Sequence, residues 1–235
     1  MKVILCLILG FFVPCINVEC TVKPLLATMP HVELAKQTLL KNRTRTDLIN
    51  YLIVKNNYKK YLEIGVAGGD NLRLIVAESK AGVDPSPSAP CEYHMTSDDF
   101  FKNNQETFDI VFIDGLHLHE QVLKDIENSL NCLNPGGIIV MHDCMPVLQE
   151  HQGRTPIPGA WNGDTWKAAA YVRMHLENVH FCVLDMDWGC GVLTPNSRQQ
   201  LYPARPIENM DWQFFVNNKV ALLNIKTVEN WLRGQ

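Results

Sequence analysis

The sequence predicts a single doubly wound α/β domain, and three stretches predict it. Tyr61-Leu-Glu-Ile-Gly-Val-Ala-Gly-Gly-Asp70 is a short apolar strand that runs through an acid into a glycine turn. Phe108 to Asp143 reads as apolar strand, amphipathic helix, Pro-Gly-Gly turn and second apolar strand. That is a βαβ crossover of about 30 residues, which makes its two strands parallel. Lys80-Ala-Gly-Val-Asp84 is a further strand, stopped by Pro85 and Pro87. In an open α/β sheet, ligands bind beyond the carboxyl ends of the strands, so Glu63, Asp84, Asp114 and Asp143 are expected along one edge.

The chain of 235 residues fits one domain, and a hydrophobic fraction of 46% supports a sizeable core. A formal net charge of -4 argues against nucleic acid as the main partner. Residues 1–20 are different in kind: Met1-Lys2, an apolar run from Val3 to Val13, and Val18-Glu-Cys20 have the layout of a secretory signal peptide. The run is shorter than the roughly 20 residues of a membrane span, so no stable span is expected once the leader is removed. Residues 21–235 then form the mature domain, in the lumen of the secretory pathway or secreted, and Asn42-Arg43-Thr44 reads as a glycan acceptor. Cys91, Cys132, Cys144, Cys182 and Cys190 remain, an odd number without zinc-type spacing; disulfides and buried free thiols both fit.

Taken in order, residues 21–57 are a helical cover. Leu48, Ile49, Leu52 and Ile53 recur at helix spacing behind Thr46, read as the N-cap. The core, 60–195, begins with the strand Tyr61–Ile64 and a helix from Asn71 to Ser79 whose N-terminus faces the turn. The prolines after Asp84 are expected to leave it at an exposed strand end. Glu92–Ser97 reads as a third strand, and Asp98-Asp99 places acids at a helix start. From Leu118 to Leu133, an apolar stripe of Leu118, Val122, Ile126, Leu130 and Leu133 opposes Glu120, Lys124, Asp125 and Asn128. Pro146–Asn162 is turn-rich and long enough to be a loop over the strand ends. Trp161-Asn-Gly-Asp-Thr-Trp166 leads into a helix over Lys167–Leu176; its tryptophans suit a carbohydrate pocket or core packing equally. Phe181–Met186 and Gly191–Thr194 are two final strands, and 196–235 is a mixed tail, helical near Val228–Leu232, without a chemical signal.

The glycine turn is not a dinucleotide fingerprint. Counted from Gly65 it reads Gly65, Ala67, Asp70, and Glu63 would repel a pyrophosphate but attract an ammonium or sulfonium group. Glu-x-Gly-x-x-x-Gly, as Glu63, Gly65 and Gly69, with Asp84 ending the next strand, resembles the cofactor site of class I S-adenosylmethionine-dependent methyltransferases. The resemblance implies a seven-stranded, mostly parallel Rossmann-like sheet with the last strand antiparallel. It also implies a cofactor held by Glu63, Gly65, Ala67, Gly69, Asn71, Asp84, Asp114 and the Ser97-Asp98 junction beside the adenine.

Asp114-Gly-Leu-His117, Pro135-Gly-Gly and His142-Asp143 are similar to the macrocin-type sugar O-methyltransferases and, more distantly, to catechol O-methyltransferase, from about residue 45 to 195. This implies a divalent ion, Mg2+ or similar, on Asp114, Asp143 and His142, with His117 as general base and a sugar or glycan hydroxyl as acceptor. Catechol-type enzymes have an amide where this chain has Cys144, and some members have an acid where it has His142. His119 and Glu120 lie one helical turn beyond the same edge. Two rivals fit the same residues: a cephalosporin-hydroxylase-like enzyme, and a secreted binding protein of this fold without chemistry.

Overall fold

The computed structural model describes residues 22–234, so the expected leader lies outside the described residues. Along the chain come α1 (Val22–Asn42), α2 (Arg45–Asn56), β1 (Lys60–Ile64), β2 (Ser79–Val83), α3 (Ser97–Asn103), β3 (Phe108–Ile113) and α4 (His119–Cys132). They are followed by β4 (Leu133–Met141), α5 (Thr165–His175), β5 (Val179–Leu184), β6 (Cys190–Pro195), α6 (Trp212–Leu222) and α7 (Val228–Arg233). Among the described residues the strands form one six-stranded sheet in the order β2-β1-β3-β4-β6-β5. β1, β2, β3 and β4 are parallel, and the last strand, β6, is antiparallel to both its neighbours.

The strands are buried on both faces, and alternate residues feed two cores. Leu62, Val111, Ile139 and Phe181 point to one, which α4, α5 and α6 cover with Ile126, Trp166 and Phe215. Tyr61, Phe112, Val140 and Cys182 point to the other, which α1, α2 and α7 cover with Leu39, Leu52 and Trp231. The sheet is therefore doubly wound.

Several expectations are corrected. The sheet has six strands rather than seven because the segment after β2 makes only a bridge between Val83 and Tyr93. Past Tyr93 the backbone turns at once into Thr96, whose side chain caps α3. The helix expected over 71–79 is one 3-10 turn, Leu72–Leu74, because the Asn50 side chain takes the Leu74 carbonyl and the Val76 amide and holds the backbone extended. The cover is two helices, broken at Arg43 with φ of 55°, and the N-cap of α2 is Thr44 rather than Thr46. Thr44 Oγ1 receives the Asp47 amide, the bond a cap supplies. Asp125 is buried rather than on a solvent-facing stripe, receiving a hydrogen bond from Gln121. The tail is core: Phe215, Leu222, Val228 and Trp231 are buried, and Trp166 packs on Phe215 with ring centroids 4.7 Å apart. All five described cysteines are free thiols. No helix among the described residues is long and apolar enough to cross a membrane.

Candidate active site

β1 ends in a turn that only glycine can start. Gly65 has φ of 87°, and a Cβ there would lie 2.1 Å from the Asp114 carbonyl oxygen, because the ends of β1 and β3 meet at this point. Glu63, just before it, is 1% exposed. Its carboxylate accepts from the Tyr61 hydroxyl and from Asn71 Nδ2, and Thr46 Oγ1 donates to Asn71 Oδ1 at 2.7 Å. Burial pushes the Glu63 carboxyl up to about 7 against the help of those donors.

Asp84 is buried, not at an exposed strand end. Its Oδ2 accepts the amides of Val66 at 3.0 Å and Ala67 at 2.9 Å, and its Oδ1 accepts Ser86 at 2.8 Å, so the carboxylate braces the glycine turn. Gly69 shapes that turn from behind, where a Cβ would strike Pro90 at 2.4 Å. At the start of α3, Gln121 Nε2 reaches from α4 to Ser97 Oγ at 3.2 Å and Asp98 Oδ1 at 2.9 Å.

Asp114 and Asp143 close adjacent parallel strands, and four further side chains join them. His142 Nδ1 lies 3.2 Å from Asp114 Oδ1 and 3.4 Å from Asp143 Oδ2. His117 Nε2 is 3.4 Å from Asp114 Oδ1, and its Nδ1 is 3.3 Å from Asp143 Oδ2 and 2.9 Å from the Trp161 carbonyl. Trp161 stacks on the His117 ring at 4.9 Å. Asn162 Nδ2 donates to Asp143 Oδ1, and Arg45 Nε stands 3.8 Å from Asp114 Oδ2. Burial would raise Asp114, but the charge of His142 and the hydrogen bond from His117 hold it well below the usual carboxylate range. Burial would lower His117 and His142, but the facing aspartates win and raise both.

The donor set fits a hard divalent ion. Ligating atoms of Asp114, His117 and Asp143 lie within 4.8 Å of one another. Asn162 Oδ1 is buried beside them without a hydrogen-bond partner, an orphan that a cation would satisfy. His142 Nδ1 is within 3.4 Å of both aspartates, and His142 also groups with Asp187 and Cys190. His119 and Glu120 belong to a different cluster with Asp164, in which Arg154 already donates to Asp164 and Glu120.

Of the residues picked from sequence, Glu63, Gly65, Ala67, Asn71, Asp84, Ser97, Asp98, Asp114, His117, His142 and Asp143 line one cavity of about 790 Å³; Gly69 does not. A volume of that size holds a nucleoside cofactor with room for an acceptor. Arg45, Gln121, Asn162 and Trp188 line it too and were not picked out from the sequence. For Arg45 a signal existed: Thr44 three residues before Asp47 is a capping pattern, which places the helix start, and so Arg45, at the sheet edge.

A family model described as a methyltransferase domain matches residues 89–144, the stretch from the bridge after β2 to just past Asp143. No curated protein matches the chain. Among solved structures, the O-methyltransferase TomG from Streptomyces achromogenes, involved in tomaymycin synthesis and solved with SAM, aligns with a TM-score of 0.50 at 15% identity, covering 71% of this chain and 89% of that one. Cofactor-bound Rv0187 from MTB aligns with a TM-score of 0.50 at 14% identity, covering 73% of this chain and 91% of that one. The chain thus has an α/β Rossmann-like methyltransferase fold, with the family-matched segment contributing Asp98, Asp114 and Asp143 to its cavity.

Proposed function

We propose that the chain is an S-adenosylmethionine-dependent O-methyltransferase, metal-assisted, acting on a hydroxyl of a sugar or glycan in the secretory pathway. The observation that carries this reading is that Glu63, Asp84, Asp114 and Asp143, from four different strand ends, line one cavity. An acid-lined cavity complements an ammonium and a sulfonium far better than a phosphate. A fold shared with a SAM-bound O-methyltransferase supports the cofactor and the reaction class. The sugar acceptor rests on the likeness of Asp114-Gly-Leu-His117 and His142-Asp143 to macrocin-type enzymes and on Trp161, whose ring borders the cavity. The compartment rests on the leader.

S-adenosylmethionine, when bound, supplies the methyl group and leaves as the neutral thioether, while a divalent ion such as Mg2+ supplies positive charge beside the acceptor oxygen. Asp114, Asp143 and Asn162 Oδ1, with His142, would hold the ion. Glu63, the Gly65 turn, Asp84 and Ser97-Asp98 would hold the nucleoside, with the methyl aimed at the Asp114–Asp143 edge. His117 would take the acceptor's proton at Nε2, because Nδ1 faces the Trp161 carbonyl. Fixing both reactants in one cavity makes the transfer effectively unimolecular.

Calorimetry of the purified chain with S-adenosylmethionine is the first test, and absent binding removes the reading. Labelled methyl appearing on a glycan pool with Mg2+, and lost with chelator, is the result expected. Label that never appears despite cofactor binding would favour a binding protein of this fold.

A further inference from the structure

The cavity has one feature that the acids do not explain. It is lined by six carboxylates, Glu63, Asp70, Asp84, Asp98, Asp114 and Asp143, and among its described lining residues Arg45 is the one Lys or Arg. Arg45 opens α2, and its backbone is pinned, since its amide donates to Asp187 Oδ2 at 2.7 Å. Its guanidinium is not. Nη1 reaches Asp187 at 3.4 Å and His142 Nε2 at 3.5 Å, and Nε is 3.8 Å from Asp114. A well-formed guanidinium–carboxylate fork closes to about 2.7–2.9 Å, so the bonds from Nη1 to Asp187 are long and leave room for a closer partner. Nε is also buried without a hydrogen-bond partner, which is costly for a charged donor unless a ligand completes it.

The next residue points to that ligand. Thr46 leads through Asn71 to Glu63, so the backbone that carries Arg45 is tied to the buried carboxylate by one short hydrogen-bonded path, and both residues line the cavity. A cation and an anion on neighbouring walls are what an α-amino acid requires, and the methionine end of the cofactor is one. We propose that Arg45 binds the α-carboxylate of S-adenosylmethionine, making it a specificity-determining residue. This rests on the function proposed above.

The test is calorimetry of the full chain with S-adenosylmethionine and with decarboxylated S-adenosylmethionine, which differs only by the missing carboxylate. Without a dedicated cation, an acidic cavity would prefer the decarboxylated form, whose net positive charge is greater. The proposal expects the wild-type chain to prefer the carboxylated form by about 10- to 100-fold, the range of a hydrogen bond to a charged group. Arg45→Ala should remove or reverse that preference by weakening the carboxylated form, and Arg45→Lys should keep part of it. Equal binding of the two by the wild-type chain overturns the proposal without needing a variant. An Arg45→Ala chain that keeps the wild-type preference overturns it too. A wild-type chain that binds neither nucleoside instead removes the underlying function.

Discussion

Two clusters on the same side of the sheet contain the same ingredients, acid, histidine and arginine, and differ in how well they are closed. Around Asp164 every contact is short: His119 Nδ1 at 2.9 Å, the His119 amide at 2.8 Å and Arg154 Nη1 at 2.7 Å. Around Asp114 the ion pairs run from 3.2 to 3.8 Å, and Arg45 Nε and Asn162 Oδ1 are buried without partners. A buried polar group left incomplete is expensive, so a fold tolerates it where something else completes it. The closed cluster is a clasp that ties the loop before α5 to the start of α4, just behind His117. The open one is the candidate site.

The glycine between them shows how tightly the two are joined. Gly163 has φ of 57°, and a Cβ there would lie 1.9 Å from the His117 carbonyl oxygen, which also accepts the Asp164 amide. The clasp therefore sets where the His117 backbone sits, while the open cluster uses its ring.

Four measurements break or sharpen this contrast. The largest effect is expected for Asp114→Asn, which should cut methyl transfer by about 10³-fold, or about 4 kcal/mol, with the melting temperature near wild type. A protein that instead unfolds would move this cluster into the structural class. Asp164→Ala should do the reverse and cost about 1–3 kcal/mol of stability in denaturant titration, because the His119 and Arg154 donors lose their acceptor. Burial would raise the Asp164 carboxyl, but the His119 donors and Arg154 hold it at about 2. That stability should be fully present above the ordinary value of 3.8 and lost as pH falls through about 2.

A smaller effect is expected at Glu63, whose carboxyl is raised from 4.5 to about 7. In the free protein the unfolded chain ionises first, so this group removes stability as pH rises between those values. A cationic ligand reverses the preference. Cofactor affinity should rise with pH through about 7 with proton release, by about tenfold or less, and Glu63→Gln should flatten it. Calorimetry in buffers of different ionisation enthalpy reads both effects. The smallest change belongs to Arg154→Ala, below about 1 kcal/mol in stability, because half of that side chain faces water. A larger loss, or a fall in turnover without a fall in stability, would show that the clasp reaches into the chemistry.

The sequence by itself determined the parallel core of the fold and the acids at its edge. Strand period, the helical stripe of Val122 and Ile126 and the crossover rule are local or nearly so, and they bring Asp114 and Asp143 side by side without a coordinate. The glycine turn at Gly65 is legible for the same reason, since its backbone demand is met within a few residues. Only tertiary structure decided the rest. The chain from Glu92 could pair with Val83 as a strand or turn to cap α3, and Thr96 with its partner Asp99 made the cap win. The tail reads as featureless because its apolar residues have no strict period, yet Phe215 and Trp231 meet opposite faces of the sheet. Arg45, Asn162 and Asp187 reach the strand-end cluster from three separate segments, and their roles come from distances and unmet hydrogen bonds. Spacing along a chain encodes which face of a strand a side chain takes; it does not encode whether a donor arriving from a distant segment will find its partner already taken.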